Sequence, residues 1–197
     1  MSSNIVEALS LIISKIGGIY AILILLRFLL QAARADFYNP VCQTIVKLTS
    51  PLLNPLRRVI PGWRRLDIAA LVLALLLSSC FTELLIFINY GALLSPGKVV
   101  SWALVGLIAL TLNIYFYAMV VMVVASFIMP LSGHPILLAI YQLMQPFYRI
   151  AHRIIPPIGG LDFSPVLLMI AIQVVEILVL NPLAQGLRVM PSVVIGL

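Results

Sequence analysis

Four stretches of this chain are long and apolar enough to cross a lipid bilayer: Ile16–Ala33, Leu66–Ile88, Trp102–Met129 and Phe163–Leu180. A helix needs about 20 mostly apolar residues to cover a hydrocarbon core of about 30 Å. Of the 197 residues 63% are hydrophobic and 9% charged, with a mean hydropathy of +1.18. Soluble domains average about 45–50% apolar and about 25% charged residues. Too little polar surface remains to wrap a water-facing globule, which excludes a cytosolic enzyme, a disordered tail and a disulfide scaffold. The fold class expected is an all-α integral membrane protein with four transmembrane helices.

Twelve Lys and Arg against six Asp and Glu leave a net charge of +6. Most basic residues flank apolar runs, so anionic head groups explain the excess better than nucleic acid does. Arg34, Lys47, Arg57, Arg58, Arg64 and Arg65 fall between spans one and two, and Arg149 and Arg153 between spans three and four. The connection between spans two and three carries only Lys98. The excess of Lys and Arg puts the two basic loops in the cytoplasm and both termini in the periplasm. Ala33-Arg34-Ala35 resembles a leader-peptide cleavage site, but Glu7 precedes the run and its charges lie on the wrong flank. The first run therefore reads as a retained span.

The basic loops are themselves apolar at helical spacing. Val41, Ile45, Leu48, Leu52, Leu56 and Val59 recur at steps of three and four, while Gln142, Gln145, Arg149, His152 and Arg153 mark a polar stripe in the second loop. Each loop reads as a basic amphipathic interfacial helix, Arg and Lys toward phosphates and the apolar face in the acyl boundary. A re-entrant dip is the alternative, and its cost is lipid-exposed broken backbone. Pro51, Pro55 and Pro146 should kink or break these helices.

The two halves superpose at one offset. Pro51 matches Pro146, Arg58 Arg153, Ile60 Ile155, Pro61 Pro156, Leu66 Leu161 and Asp67 Asp162, each 95 apart (162 − 67). Asn39-Pro40 falls on His134-Pro135 at the same spacing. Each unit, residues 1–97 and 98–197, is a span, a basic helix and a span. An even number of crossings makes the repeats parallel, related by an axis along the membrane normal.

Asn39-Pro40, the run Pro51-Leu-Leu-Asn-Pro-Leu-Arg-Arg-Val-Ile-Pro61 and Asp67 resemble the signature of the YggT (YlmG) family of integral membrane proteins. The second unit repeats it as Pro146 through Arg153-Ile-Ile-Pro156, Gly159-Gly160 and Asp162-Phe-Ser-Pro165. The first copy has Arg64-Arg65 in place of Gly-Gly, and the second has Ile150-Ala151-His152 where the first has Pro-Leu-Arg. The resemblance implies a four-span protein of the bacterial inner membrane. It also implies links to osmotic-stress tolerance and cation uptake, to envelope organisation, and in plastids to cytochrome b maturation.

The simpler reading of the motif is structural. Pro40, Pro55 and Pro135 belong to it as structural positions, Pro61 and Pro156 would end the basic helices, and Gly159 and Gly160 would allow a turn. Asp67 and Asp162 would cap the spans that follow. Arg57, Arg58, Arg149 and Arg153 would hold lipid phosphate, pair with those aspartates or dock a protein partner.

Ser78, Asn113 and Gln173 lie nearest the bilayer centre, and Ser78 and Gln173 are repeat equivalents (173 − 78 = 95). They read as helix-to-helix hydrogen-bonding groups, or alternatively as a polar path for a cation. Lys15 and Glu83 fall at similar levels and suggest a pair, and Arg27 should snorkel inward. Gly17, Gly18 and Gly106 read as close helix-packing positions. Cys42 and Cys80 form no CxxC, and His134 and His152 have no partner at metal-ligand spacing. No cofactor, metal or catalytic set is expected. The function expected is a non-enzymatic scaffold or envelope-assembly factor, with cation (potassium) homeostasis, as a weak conductor or a regulator, the alternative. Conduction would require a homo-oligomer, since one chain offers little pore lining.

Overall fold

The computed structural model describes residues 3–62, 66–128, 133–154 and 164–197, and among them every regular element is helical. Four helices can span a membrane: α1 (Ser3–Ala32), α3 (Ile68–Tyr90), α4 (Pro96–Ile128), and α6 (Ser164–Val175) continued into α7 (Asn181–Gly186). Between the spans of each repeat lies one 20-residue helix, α2 (Pro40–Val59) and α5 (Pro135–Ile154). Their ends fall at the repeat offset (135 − 40 = 154 − 59 = 95). The chain is a four-span, two-repeat membrane protein.

Local chemistry sets the boundaries. Asn39 caps α2, its Oδ1 accepting the Val41 N–H at 2.8 Å, and Pro40 follows where no N–H is needed. Asp67 caps α3 by accepting the Ala70 N–H at 3.3 Å. Gly91, at φ +63°, ends α3 in the left-handed region. Arg34 and Arg188 take the same left-handed position, at φ +59° and +51°. The Ala35 N–H bonds the Leu30 carbonyl at 2.9 Å and the Val189 N–H bonds that of Ala184 at 2.9 Å, the pattern of a Schellman stop. The resemblance to a cleavage site at Ala33-Arg34-Ala35 thus marks a helix end.

Three expectations are corrected. The first span begins at Ser3, well before Ile16, because nothing before Gly17 breaks a helix and both Glu7 and Lys15 are exposed. The fourth runs past Leu180 to Gly186 through a π turn, Glu176–Leu180, in which the Asn181 N–H bonds the Glu176 carbonyl. That turn shifts the ladder just before Pro182, which brings no N–H. Pro51, Pro55 and Pro146 do not break α2 or α5: each helix is continuous through them. Pro51 and Pro55 are exposed, so the carbonyls they leave unpaired are not sealed in the core.

One core joins α1 and α3 to Leu53 of α2 and to Leu107 and Leu110 of α4, around Ala21, Ile24, Ala70 and Ala74. A second joins the repeats, with Leu29, Leu30, Cys42 and Ile45 against Met119, Leu143, Met144 and Tyr148. Asn39 Nδ2 donates to the Pro135 carbonyl at 2.7 Å, and the Asp36 N–H to Gln142 Oε1 at 2.9 Å, across the same boundary.

Residues 187–197 fold back into the bundle. Val193, Val194 and Ile195 are buried, Trp102 Nε1 donates to the Leu187 carbonyl at 3.0 Å, and Asn113 Nδ2 donates to that of Gly196 at 3.2 Å. A Cβ on Gly106 would lie 2.4 Å from the Ile195 carbonyl oxygen. Gly106 therefore makes room for this segment and not for a neighbouring helix. Gly17 is tight against both the Phe81 ring and Ile195, whereas Gly18 has space.

Candidate functional site

The polar groups of the first repeat converge where α1, α2 and α3 meet. Arg27 sits in span α1, yet it is only 4% exposed. Its Nη1 donates to Thr49 Oγ1 at 2.6 Å, the Ser50 hydroxyl at 3.2 Å and the Val46 carbonyl at 3.2 Å, all on α2. About two turns earlier on α1, Tyr20 donates its hydroxyl to the Leu48 carbonyl at 3.1 Å. The expected inward snorkel does not occur. Arg27 is a clamp that fastens α2 to α1, its Nη1 alone making three bonds to α2, which offsets part of the cost of burying a charge in a span.

Arg57, in the last turn of α2, grips Asp67 at the start of α3 with two bonds, from Nε at 3.1 Å and from Nη2. The Asp67 side chain is 3% exposed and that of Arg57 37%. Asp67 thereby caps α3 and ties it to α2, so one carboxylate sets the register of two helices. Two guanidinium groups against one carboxylate leave the junction with an excess positive charge.

Arg58, Arg149 and Arg153 are exposed and have no protein partner among the described residues. Pro40 and Pro135 open α2 and α5, Pro55 lies on the exposed side of α2, and Pro61 follows its end. Pro156, Gly159, Gly160 and Asp162 lie outside the described residues, as do Arg64 and Arg65.

Two of the three mid-span polar residues come together. Asn113 and Gln173 line a recess of about 410 Å³ with Glu176 and Asn181, beside the Gly196 carbonyl that Asn113 holds. Ser78 lies elsewhere, 2% exposed on α3, and its hydroxyl has no protein partner among the described residues. Asn113 also borders an apolar cavity of about 530 Å³ between the repeats, lined by Leu26, Ile45, Ile114 and Leu143 among others. The expected Lys15–Glu83 pair is absent. Glu83 Oε1 accepts the Leu94 N–H at 3.0 Å and closes the turn between α3 and α4.

Cys42 and Cys80 are free thiols. Burial, and secondarily the nearby Asp36 charge, push the Cys42 thiol up, which leaves little nucleophilic thiolate. His152 stacks on Tyr148 with centroids 5.9 Å apart, and His134 is exposed at the start of α5. No cluster of three or more His, Cys, Asp or Glu occurs among the described residues.

Sequence reasoning missed the Arg27 clamp. Its signal was the adjacent hydroxyl pair Thr49-Ser50 at the middle of α2, with Thr49 on the apolar face of that helix.

A family model described as CCB3/YggT matches residues 6–88 and again 101–183. An uncharacterized protein of Pseudomonas aeruginosa is 38% identical over 174 residues, 88% of each chain. One of Vibrio alginolyticus is 35% identical over 85% of this chain and 90% of its own. The uncharacterized protein YggT of Escherichia coli K12 is 33% identical over 94% of this chain and 97% of its own. No solved structure matches.

Proposed function

The chain belongs to the CCB3/YggT family, and we propose that it is a non-enzymatic scaffold of the bacterial inner membrane. Its two basic helices lie along the cytoplasmic leaflet, grip anionic head groups and present their free arginines to envelope-assembly machinery. Both termini face the periplasm, as the distribution of Lys and Arg favours.

The three-sided character of α2 carries this reading. Cys42, Ile45, Thr49 and Leu53 are buried against the bundle. The rest of its surface divides into an apolar strip, Leu48, Leu52, Pro55 and Val59, and a polar strip, Gln43, Lys47, Asn54 and Arg58, all exposed. A helix held on one side, apolar on the second and cationic on the third suits the level where acyl chains meet phosphates. The Arg27 clamp and the Arg57–Asp67 pair hold it there, so its charges are presented from a rigid element.

The test is the double variant Arg58→Ala, Arg153→Ala. Native mass spectrometry should find fewer anionic phospholipids retained per chain, and a membrane pull-down should lose partners, while reporter fusions show unchanged topology. Retention of the wild-type lipid and partner profile would refute the scaffold reading.

The recess of Asn113, Gln173, Glu176 and Asn181 favours a second reading, a role in cation homeostasis. Reconstituted protein would then pass potassium in a way that Asn113→Leu and Gln173→Leu abolish.

A further inference from the structure

The membrane-spanning face of α6 is covered unlike that of its repeat equivalent. On α3, Ser78 and Thr82 are buried and Leu71 and Leu75 half-buried, enclosed by α1 and α4. The same positions of the second repeat are Val166, Ile170, Gln173 and Ile177 (166 − 71 = 177 − 82 = 95), and all four are exposed. Val166, Ile170 and Gln173 follow at steps of four and three on α6, the spacing of a helix–helix seam, and Ile177 comes four on, in the π turn. α6 packs on α4 and α5, and no other described helix covers this side.

Three of these residues suit lipid and one does not. Gln173 lies nine residues beyond Ser164, about 14 Å at 1.5 Å per residue, near the middle of a core about 30 Å thick. Acyl chains offer a carboxamide no hydrogen bond, so an exposed Gln at this depth calls for a polar partner. The recess holding Asn113, Glu176 and Asn181 opens beside it.

We propose that this seam is the interface with a second copy of the chain, α6 against α6 about a two-fold axis along the membrane normal. Both copies insert in the same direction, so a residue on the seam faces itself across the axis. Val166, Ile170 and Ile177 then pack against their own counterparts. Gln173, with both donor and acceptor in one group, completes its hydrogen bonds with the other Gln173. A single amide in an apolar seam selects register and pairing, as a lone polar residue does in a coiled coil. Dimerisation also covers the open side of the polar recess. This interface stands independently of the scaffold role.

The test uses the full chain in native membranes with Cys80→Ala, Cys42 being wholly buried. Single cysteines go in at Ile170 and Ile177 on the seam and, as depth-matched controls about 100° around the helix, at Ala171 and Leu178. Oxidative cross-linking should yield a product of twice the monomer mass, forming at least about fivefold faster from the seam positions than from the controls. Adding Gln173→Leu should slow it several-fold and Gln173→Asn should preserve it. Equal rates at seam and control positions, or adducts only of other masses, would overturn the proposal.

Discussion

The two repeats share the motif and the ends of the basic helix but differ in how that helix is fastened to the first span of its repeat. In the first, Arg27 bonds Thr49 and Ser50 within the bundle, and Arg57 bonds the buried Asp67 at its edge. The positions equivalent to Arg27 and Thr49 are Met122 and Met144, and His152 stands for Arg57. Met144 is fully buried in the core between the repeats, so the same place in the fold is filled by thioether packing. The fold thus accepts apolar residues at the two positions where the first repeat has Arg27 and Thr49. Where charge is present it has a local task, which is to pin α2 to both spans of its own repeat.

That contrast can be broken. The largest effect is expected for Asp67→Ala, which unpairs the Arg57 guanidinium, uncaps α3 and removes the carboxylate facing Arg27. Because Arg57 is 37% exposed and can turn to water, the loss is about 2–4 kcal/mol, from the helix cap and the charge-assisted bonds, read as a fall in the detergent unfolding temperature or in folded yield. Arg27→Met, which installs the residue of the second repeat, should cost less than about 1 kcal/mol, since replacing a buried charge by a well-packed apolar group is often neutral. Equal losses in the two variants would mean that Arg27 and the Arg57–Asp67 pair act as one unit.

Next in size is Gly106→Ala, whose methyl would collide with the Ile195 backbone. A loss of about 1–3 kcal/mol should appear together with protease access to residues 187–197. Gly18→Ala, with Ile195 Cγ2 at 3.7 Å, should be silent in both measurements.

Asn39→Ala removes a cap and the bond to the Pro135 carbonyl. It should cost about 1–2 kcal/mol by the usual value of an N-cap, against almost nothing for His134→Ala at the equivalent position. Similar thermal shifts for both would show that the repeats are capped alike. Smallest is Arg34→Gly, which relieves a left-handed non-glycine residue and should gain up to about 1 kcal/mol with no change in helix content by circular dichroism.

Much of this arrangement is legible along the chain. The spans follow from apolar length, the repeat from Pro, Arg and Asp at one offset, and the Asp67 cap from an acid just ahead of an apolar run. What was misjudged depends on partners distant in sequence. Arg27 looked like a snorkelling charge because Thr49 is 22 residues away, and only the packing of α2 on α1 brings them together. Gly106 looked like a helix-contact glycine because its true neighbour, Ile195, is 89 residues on (195 − 106). The first span was read from Ile16, after the last charge before the apolar run, whereas the helix starts at Ser3 with Glu7 and Lys15 both exposed.

The order of the amino acids alone determined that this chain enters a bilayer, how many times it crosses, and that it does so as two like units. Those outcomes are set by transfer of apolar segments from water and by short-range capping, both properties of local sequence. Which polar groups meet was decided only in three dimensions: Arg27 with Thr49, Arg57 with Asp67, Asn113 with Gly196. Inside a membrane a buried donor has no water to fall back on, so its partner is whichever acceptor the helix packing brings within about 3 Å.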